Sequence, residues 1–259
     1  MPSTAGPGPQ SLTLVLPAYN EAARIGPALD ELFAYLGDPT RAGLPETVDV
    51  LVVDDGSTDG TANLVETRPE TGFGAGSMSL SVLHVPHAGK GAAVRSGMLH
   101  AQGDLIVFAD ADMATPPSEL PKLVAALAGA DVAVGSRIQP DGSDMRATQP
   151  RYRRMLGGLF HFLASVWVVG DVQDTQCGFK GFSRDAAHDL FGRQLVTSIV
   201  FDVEVIHLAR RRGYRLAVVP IRWQDVRGSR LKPRFSLALR VAWDLFRIPL
   251  LHRGVQRRA

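Results

Sequence analysis

The sequence predicts an α/β fold: a mostly parallel central sheet with helices on both faces, followed by a C-terminal amphipathic helix. Three observations carry this expectation. Short, continuously apolar runs alternate with segments whose apolar residues fall at helical spacing. The runs are uniformly hydrophobic, as strands buried on both faces must be. Acids and glycines punctuate their carboxyl ends, where open parallel sheets bind ligands. With 259 residues and 45% hydrophobic content, the chain can bury the core of one large domain without help from disulfides or metal.

The elements follow in order. "MPSTAGPGPQ" (1–10) is rich in Pro and Gly, lacks the charge and apolar run of a signal peptide, and reads as a disordered lead-in. "LTLVLP" (12–17) is a β-type run, and the segment after it places Ile25, Leu29, Leu32, Phe33 and Leu36 on one helical face. "VDVLVVDDG" (48–56) repeats the strand pattern, with Ser57 or Thr58 placed to cap a following helix. "LSVLHVP" (80–86) and "DLIVFADAD" (104–112) are further strands, separated by a helix that opens at "GKG" (89–91). "ADVAVGSR" (130–137) is a fifth. A polar loop (139–150) then leads through Arg151, Arg153 and Arg154 into an apolar stretch (155–170), which is too short to span a bilayer. "DTQCGFKGFSRDAA" (174–187), a helix from Phe201 to Arg212, a strand "RLAVVPIRW" and a basic tail complete the chain. The expected division is a lead-in over 1–10, one folded domain over 11–234, and a basic helical tail over 235–259.

The formal net charge of +2 conceals an asymmetry. From Arg210 onward there are 14 Lys/Arg against two acids, Asp225 and Asp244, so the tail carries +12 and the body −10. A basic tail implies an anionic partner. Zinc-finger spacing and RNP-like aromatic motifs are missing, which argues against nucleic acid and leaves a phosphorylated substrate or a membrane surface. The single cysteine, Cys177, forms no intramolecular disulfide and supplies no zinc set, so a cytoplasmic setting is expected.

The chemistry concentrates at the strand ends. Asp110 and Asp112, at i and i+2 where a strand yields to a loop, can turn the same way and offer hard oxygen ligands suited to Mg²⁺ or Mn²⁺. Taken alone, a D-x-D is more often a turn, here before Pro116 and Pro117, than a metal site. It is not alone. "PAYNE" (17–21), "VVDDGSTDGT" (52–61), "GKG" and "FADAD" occur in an order that resembles the inverting family 2 glycosyltransferases of the GT-A fold, a likeness running from Leu12 to about Pro233. The resemblance implies that Pro17, Ala18, Tyr19 and Glu21, with Asp54 and Asp55, frame a nucleotide sugar, joined by Lys90, Asp110 and Ala111. It further implies that Asp110 and Asp112 hold the metal bridging the diphosphate.

The second half narrows the likeness. "GSR" (135–137), "RYRRMLGGLFHFL" (151–163), "DTQCGFKGFSRDAA", "FDVE" (201–204) and "GSRLKP" (228–233) resemble the dolichyl-phosphate β-glucosyltransferases and, less closely, the dolichyl-phosphate mannose synthases. This implies a polyprenyl phosphate acceptor, with UDP-glucose as the favoured donor and GDP-mannose as the alternative; a family 2 transfer to a soluble or cell-wall acceptor is the other alternative. A phosphate monoester is already ionised near neutral pH and attacks without a strong general base, but it needs positive charge to draw it in. Arg137, Arg153, Lys180, Arg230 and Lys232 are the candidates, with Asp174 positioning the acceptor or donor sugar or serving as a base. Asp202 and Glu204 are either site acids or helix-dipole partners.

Two departures stand out. In some mannose synthases a glutamine two residues past the second aspartate joins the metal shell, and Ala114 stands there instead. The glucosyl branch commonly begins with a membrane-spanning helix, and none is legible in this sequence. Lipid access would then fall to the tail, with the apolar 155–170 segment behind Arg151, Arg153 and Arg154 as a second candidate contact. Over 235–251, Ser236, Arg240, Asp244 and Arg247 occupy one helical face, and Leu239, Ala242, Trp243, Phe246 and Leu250 the other. Such a helix suits either a membrane interface or the protein's own core, and implies a peripheral location on the cytoplasmic membrane face. A nucleotidyltransferase is the rival enzyme class, but "PAYNE" lacks the glycine-rich signature expected in its first loop. A non-enzymatic membrane-binding module is the third reading.

Overall fold

The computed structural model describes residues 8–71, 77–145, 174–224 and 235–258. Seven strands build one sheet: β1 (Ser11–Ala18), β2 (Thr47–Asp54), β3 (Met78–His84), β4 (Leu105–Ala109), β5 (Val132–Ser136), β6 (Phe179–Ser183) and β7 (Leu216–Pro220). Their spatial order is β3-β2-β1-β4-β6-β5-β7. The first four are mutually parallel, β7 is parallel to β5, and β6 runs antiparallel to both of its neighbours. The described helices are α1 (Ala22–Leu36), α2 (Thr61–Glu66), α3 (Lys90–His100), α4 (Leu120–Leu127), α5 (Arg184–Arg193), α6 (Phe201–Arg212) and α7 (Phe235–Leu251).

The alternation of side chains along β1 and β2 divides the core into two layers. Val15, Leu51 and Val53 face α3, α5, α6 and α7, alongside Phe108, Phe182, Phe191 and Phe201. Leu12, Leu14, Leu16, Val48, Val50 and Val52 face α1 and α4 on the other side. The most uniform apolar runs, in β1, β2, β4 and β5, are buried on both faces, whereas β3 and β7, also legible as strands, lie at the sheet edges and are only partly buried. β6 was not legible as a strand, because "FKGFS" interrupts its two phenylalanines with Lys180 and Gly181, yet it is a central strand and Lys180 lies fully within the core.

Strand direction gathers the functional loops. The carboxyl ends of β1, β2, β4 and β5 lie at one rim because these strands share a direction. β6 runs the opposite way, so its amino end, with the preceding segment Asp174–Gly178, arrives at the same rim. α3 begins there too, after β3.

The tail is more integrated than its charge suggests. Leu245 and Ile248 of α7 are buried in the first core layer. Several tail cations meet acids of the body: Arg212 pairs with Asp189, Arg222 with the buried Glu119, and Arg215 and Arg258 both with Asp131. Within α7, Arg247 pairs with Asp244. Part of the +12 is therefore internal structure. Among the described residues, no helix is long and apolar enough to cross a membrane.

Candidate functional site

The site begins with two loops laced together by side chains. In "PAYNE", Asn20 adopts a left-handed backbone (φ 54°), which asparagine tolerates better than most residues. Its N–H donates to Ser57 Oγ, and its Oδ1 accepts from the Thr58 N–H at 2.8 Å. The Glu21 N–H donates to Thr61 Oγ1, and the Ala22 N–H to Asp59. The β1–α1 and β2–α2 loops are thus tied to each other by these four hydrogen bonds. Asp54, at the end of β2, accepts the Ser57 N–H. Asp55 is buried and accepts the N–H groups of Ala88 and Gly89, with the His87 ring against the same carboxylate at 2.9 Å. Its place is the floor of the site, where it shapes the loop leading into α3. Above it, the exposed Tyr19 ring stacks on His87 with centroids 4.0 Å apart.

The paired aspartates follow β4. Met113, directly after them, also has a left-handed backbone (φ 48°), an arrangement costing about 1–3 kcal/mol that tends to persist where function over-determines it. Asp110 Oδ1 accepts from Lys90 Nζ at 2.5 Å. Asp112 accepts the Ala114 N–H and lies 3.5 Å from Arg24, whose guanidinium is gripped by Glu21. Burial, and then the neighbouring charge of Asp110, push the Asp112 carboxyl above its usual range. Burial opposes the charge on Lys90, but Asp110 and Asp202 outweigh it and raise the ammonium pKa.

This donor set suits a divalent cation. Both carboxylates are partly exposed, their mutual repulsion calls for positive charge, and Mg²⁺-like ions complete their shells with water and phosphate oxygens. No cluster of three or more His, Cys, Asp or Glu that could hold a metal occurs among the described residues. Ala114 is buried and bonded through its backbone to Asp112 and Gln224. Ala111 is buried between the two aspartates, and Pro17 and Ala18 form the end of β1 beside Val53 and Asp54.

Gly178 explains part of the "DTQCGFK" motif. Its carbonyl accepts the Asp110 N–H at 3.1 Å, and a Cβ at this position would collide with the Asp110 carboxylate. Only glycine leaves that carboxylate its room. Four residues earlier, the buried Asp174 takes a bidentate contact from Arg137, at 2.6 and 2.8 Å, plus the Arg137 backbone N–H. The guanidinium also lies over the Trp223 ring, 5.5 Å from its centroid. Asp174 is therefore placed to orient Arg137, and both its oxygens are engaged in doing so.

Lys180 does not stand where an acceptor phosphate could reach it. Its side chain is fully buried, donates to the Cys177 carbonyl, pairs with Asp202 at 2.5 Å and lies beside the Phe108 ring. A lysine in the core keeps its charge only with such a partner. Asp202 and Glu204, two candidate site acids, are likewise internal. Glu204 accepts the N–H groups of Leu195 and Val196 and meets His252 at 2.7 Å. Burial pushes the Cys177 thiol up to about 12, so it stays protonated near neutral pH and packs rather than attacks.

Arg24, His87 and Gly178 escaped the sequence reading. Only Gly178, inside a quoted motif, carried a signal. Arg153, Arg230, Lys232 and the apolar 155–170 stretch lie outside the described residues.

A parallel half-sheet whose strand ends bring paired acids to one rim, completed by an antiparallel strand, is the architecture of a GT-A glycosyltransferase. The chain belongs to the family described as "Glycosyl transferase family 2", whose model matches residues 13–191. It is 38% identical to a dolichyl-phosphate beta-glucosyltransferase of Trichomonas vaginalis, over 98% of this chain and 75% of the relative. It is 39% identical to the enzyme of that name from Drosophila melanogaster, over 92% of this chain and 74% of the relative. Among solved structures, glucosyl-3-phosphoglycerate synthase from Mycobacterium tuberculosis, in complex with Mn²⁺, UDP-glucose and phosphoglyceric acid, shares the fold. Its TM-score is 0.62 at 22% identity, covering 95% of this chain and 80% of that one. The chain is a glycosyltransferase.

Proposed function

We propose that the protein transfers glucose from UDP-glucose to a polyprenyl phosphate of the dolichyl type, with inversion, at the cytoplasmic face of a membrane. The observation that carries this reading is the Asp110–Asp112 pair, held open by Gly178 and bordered by Lys90, in a chain resembling dolichyl-phosphate glucosyltransferases over most of its length. Asp110 and Asp112 would hold Mg²⁺ or Mn²⁺, which when bound neutralises charge developing on the departing nucleoside diphosphate. Lys90 adds a second positive charge at the same place. The Tyr19–His87 stack offers a flat face for the nucleotide base, over the floor made by Asp54 and Asp55.

At the acceptor side, Arg137 is oriented by Asp174 and backed by Trp223, so its charge is fixed in direction before the acceptor phosphate arrives. Arg153 and Arg230 belong to the same proposal. The phosphate needs no protein base, which agrees with an Asp174 whose oxygens are engaged by Arg137. Direct displacement by phosphate inverts the anomeric centre. A protonated, buried Cys177 supports that single step over a covalent intermediate.

A donor screen tests the reading. UDP-glucose and GDP-mannose are each offered with Mg²⁺ or Mn²⁺, with and without a short polyprenyl phosphate, and release of nucleoside diphosphate is followed. Acceptor-dependent UDP release is expected. Preference for GDP-mannose would move the protein to the mannosyl branch, and pyrophosphate release would indicate nucleotidyl transfer.

A further inference from the structure

The C-terminal helix turns the wrong side outward for a solvated surface helix. α7 is mounted on the body by Leu245 and Ile248, together with two polar ties: Asp244 accepts from Ser198 Oγ at 2.6 Å, and His252 meets Glu204. The helix lies on the core through a face that includes Asp244, not through the apolar row seen in its sequence. Asp244 is buried. These contacts fix the rotation of α7 about its axis, because both ties must be made by the same face.

That rotation leaves Leu239 (58%), Trp243 (61%), Phe246 (48%) and Leu250 exposed, with Leu251 beside them. At about 100° per residue the first four form a single stripe, opposite Leu245 and Ile248. The Trp243 and Phe246 rings stack on each other with centroids 6.1 Å apart, making a continuous aromatic patch on the outer surface. Arg240 and Arg247 border the stripe on one side, and Arg253 and Arg257 are exposed just past the end of the helix. Arg240, Arg253 and Arg257 have no carboxylate partner among the described residues, unlike the tail arginines that pair with the body. Exposed apolar patches of this kind mark interaction surfaces. Tryptophan, phenylalanine and leucine flanked by unpaired arginines match one occupant in particular: the headgroup region of an anionic bilayer, where aromatic rings sit at the boundary and cations meet lipid phosphate.

We infer that the outer face of α7, centred on Trp243 and Phe246, is the surface by which the protein docks on an anionic membrane. The inference rests on the proposed membrane-borne acceptor and names the part of the molecule that brings the site to it. Ser198 and Glu204 belong to or fix the segment whose Thr197 carbonyl accepts the Gly91 N–H, next to Lys90, so the docked helix is linked to the donor side of the site through that one segment.

The test uses the full chain and vesicles of phosphatidylcholine containing about 30 mol% phosphatidylserine, with sedimentation as the readout. The wild type pellets with these vesicles. Trp243→Ser/Phe246→Ser, at exposed positions and with an unchanged melting temperature, loses about tenfold or more in partitioning. Failure of the wild type to pellet overturns the inference, and so does equal pelleting of the variant. A lipid-free wild-type oligomer that the double substitution dissolves also overturns it, since a second copy then covers the face. UDP binding with Mn²⁺ is measured in lipid-free solution alongside and is unchanged by the substitutions. Failure of the donor reading shows there, and failure of the docking surface shows only in the vesicles.

Discussion

Lys90 Nζ donates to Asp110 Oδ1 at 2.5 Å, joining the first residue of α3 to the end of β4 across the rim of the sheet. The pair holds one carboxylate of the D-x-D in place and keeps a cation beside it, where the proposal puts the donor diphosphate. Gly91, the next residue, has no room for a Cβ against Thr197 and Phe201, so the start of α3 is fixed tightly enough to aim that lysine.

Lys90→Met keeps the aliphatic stem and removes the charge. Turnover of donor falls about 100-fold, the scale expected on losing one preorganised electrostatic contact. Steady-state kinetics with UDP-glucose check this, with an unchanged melting curve as the control for folding.

Gly178→Ala tests the room made for Asp110. The added methyl displaces the carboxylate, so Mn²⁺-dependent UDP binding weakens about tenfold or more while the sheet remains folded. Calorimetric titration of UDP with and without Mn²⁺ measures it. Equal metal enhancement in variant and wild type would remove Gly178 from the site.

Lys180 separates a structural role from an acceptor-binding one. Lys180→Ala strands Asp202 in the core and costs about 3–5 kcal/mol in urea unfolding. Lys180→Met/Asp202→Leu removes both charges and recovers most of that loss. An acceptor-binding lysine would instead raise the acceptor KM in every variant, with little effect on stability.

Glu119 sets a pH dependence. Burial pushes its carboxyl up, but hydrogen bonds from Lys122 and Arg222 outweigh burial and hold it below the usual glutamate range. A carboxyl whose folded pKa is depressed adds stability above its unfolded pKa and loses it as pH falls through the folded one. The stability gap between wild type and Glu119→Gln is therefore full near neutral pH and closes in acid below the ordinary carboxylate range. Urea midpoints across that pH series show it, and a gap independent of pH would contradict the ion-pair assignment.

Legibility of the fold followed local pattern. Strands such as β2 and β4 are uniform apolar runs, and α6 was bounded correctly from Phe201 to Arg212, just before Gly213, which caps it with a left-handed backbone (φ 79°). β6 was invisible because a central strand carries a lysine, and only a partner 22 residues away makes that lysine tolerable. The D-x-D and its companion motifs were readable as spaced residue types. The work of Arg24 was not, because it reaches Asp112 across 88 positions, and neither was that of His87, which sits on Asp55 from another loop. Arg137 and Asp174 were each singled out, but their bidentate contact belongs to tertiary structure, and it turns a candidate base into the orienting partner of a cation.

The proposed reaction is sugar transfer to a lipid phosphate from a metal-held nucleotide sugar. It is tested most directly by following radiolabel from UDP-glucose, with Mn²⁺ and a short polyprenyl phosphate, into a chloroform-extractable, mild-acid-labile product. The wild type is expected to form that product, and Asp112→Ala is expected to form almost none. Label that stays in water-soluble material with the wild type, or equal lipid labelling by Asp112→Ala, would contradict it.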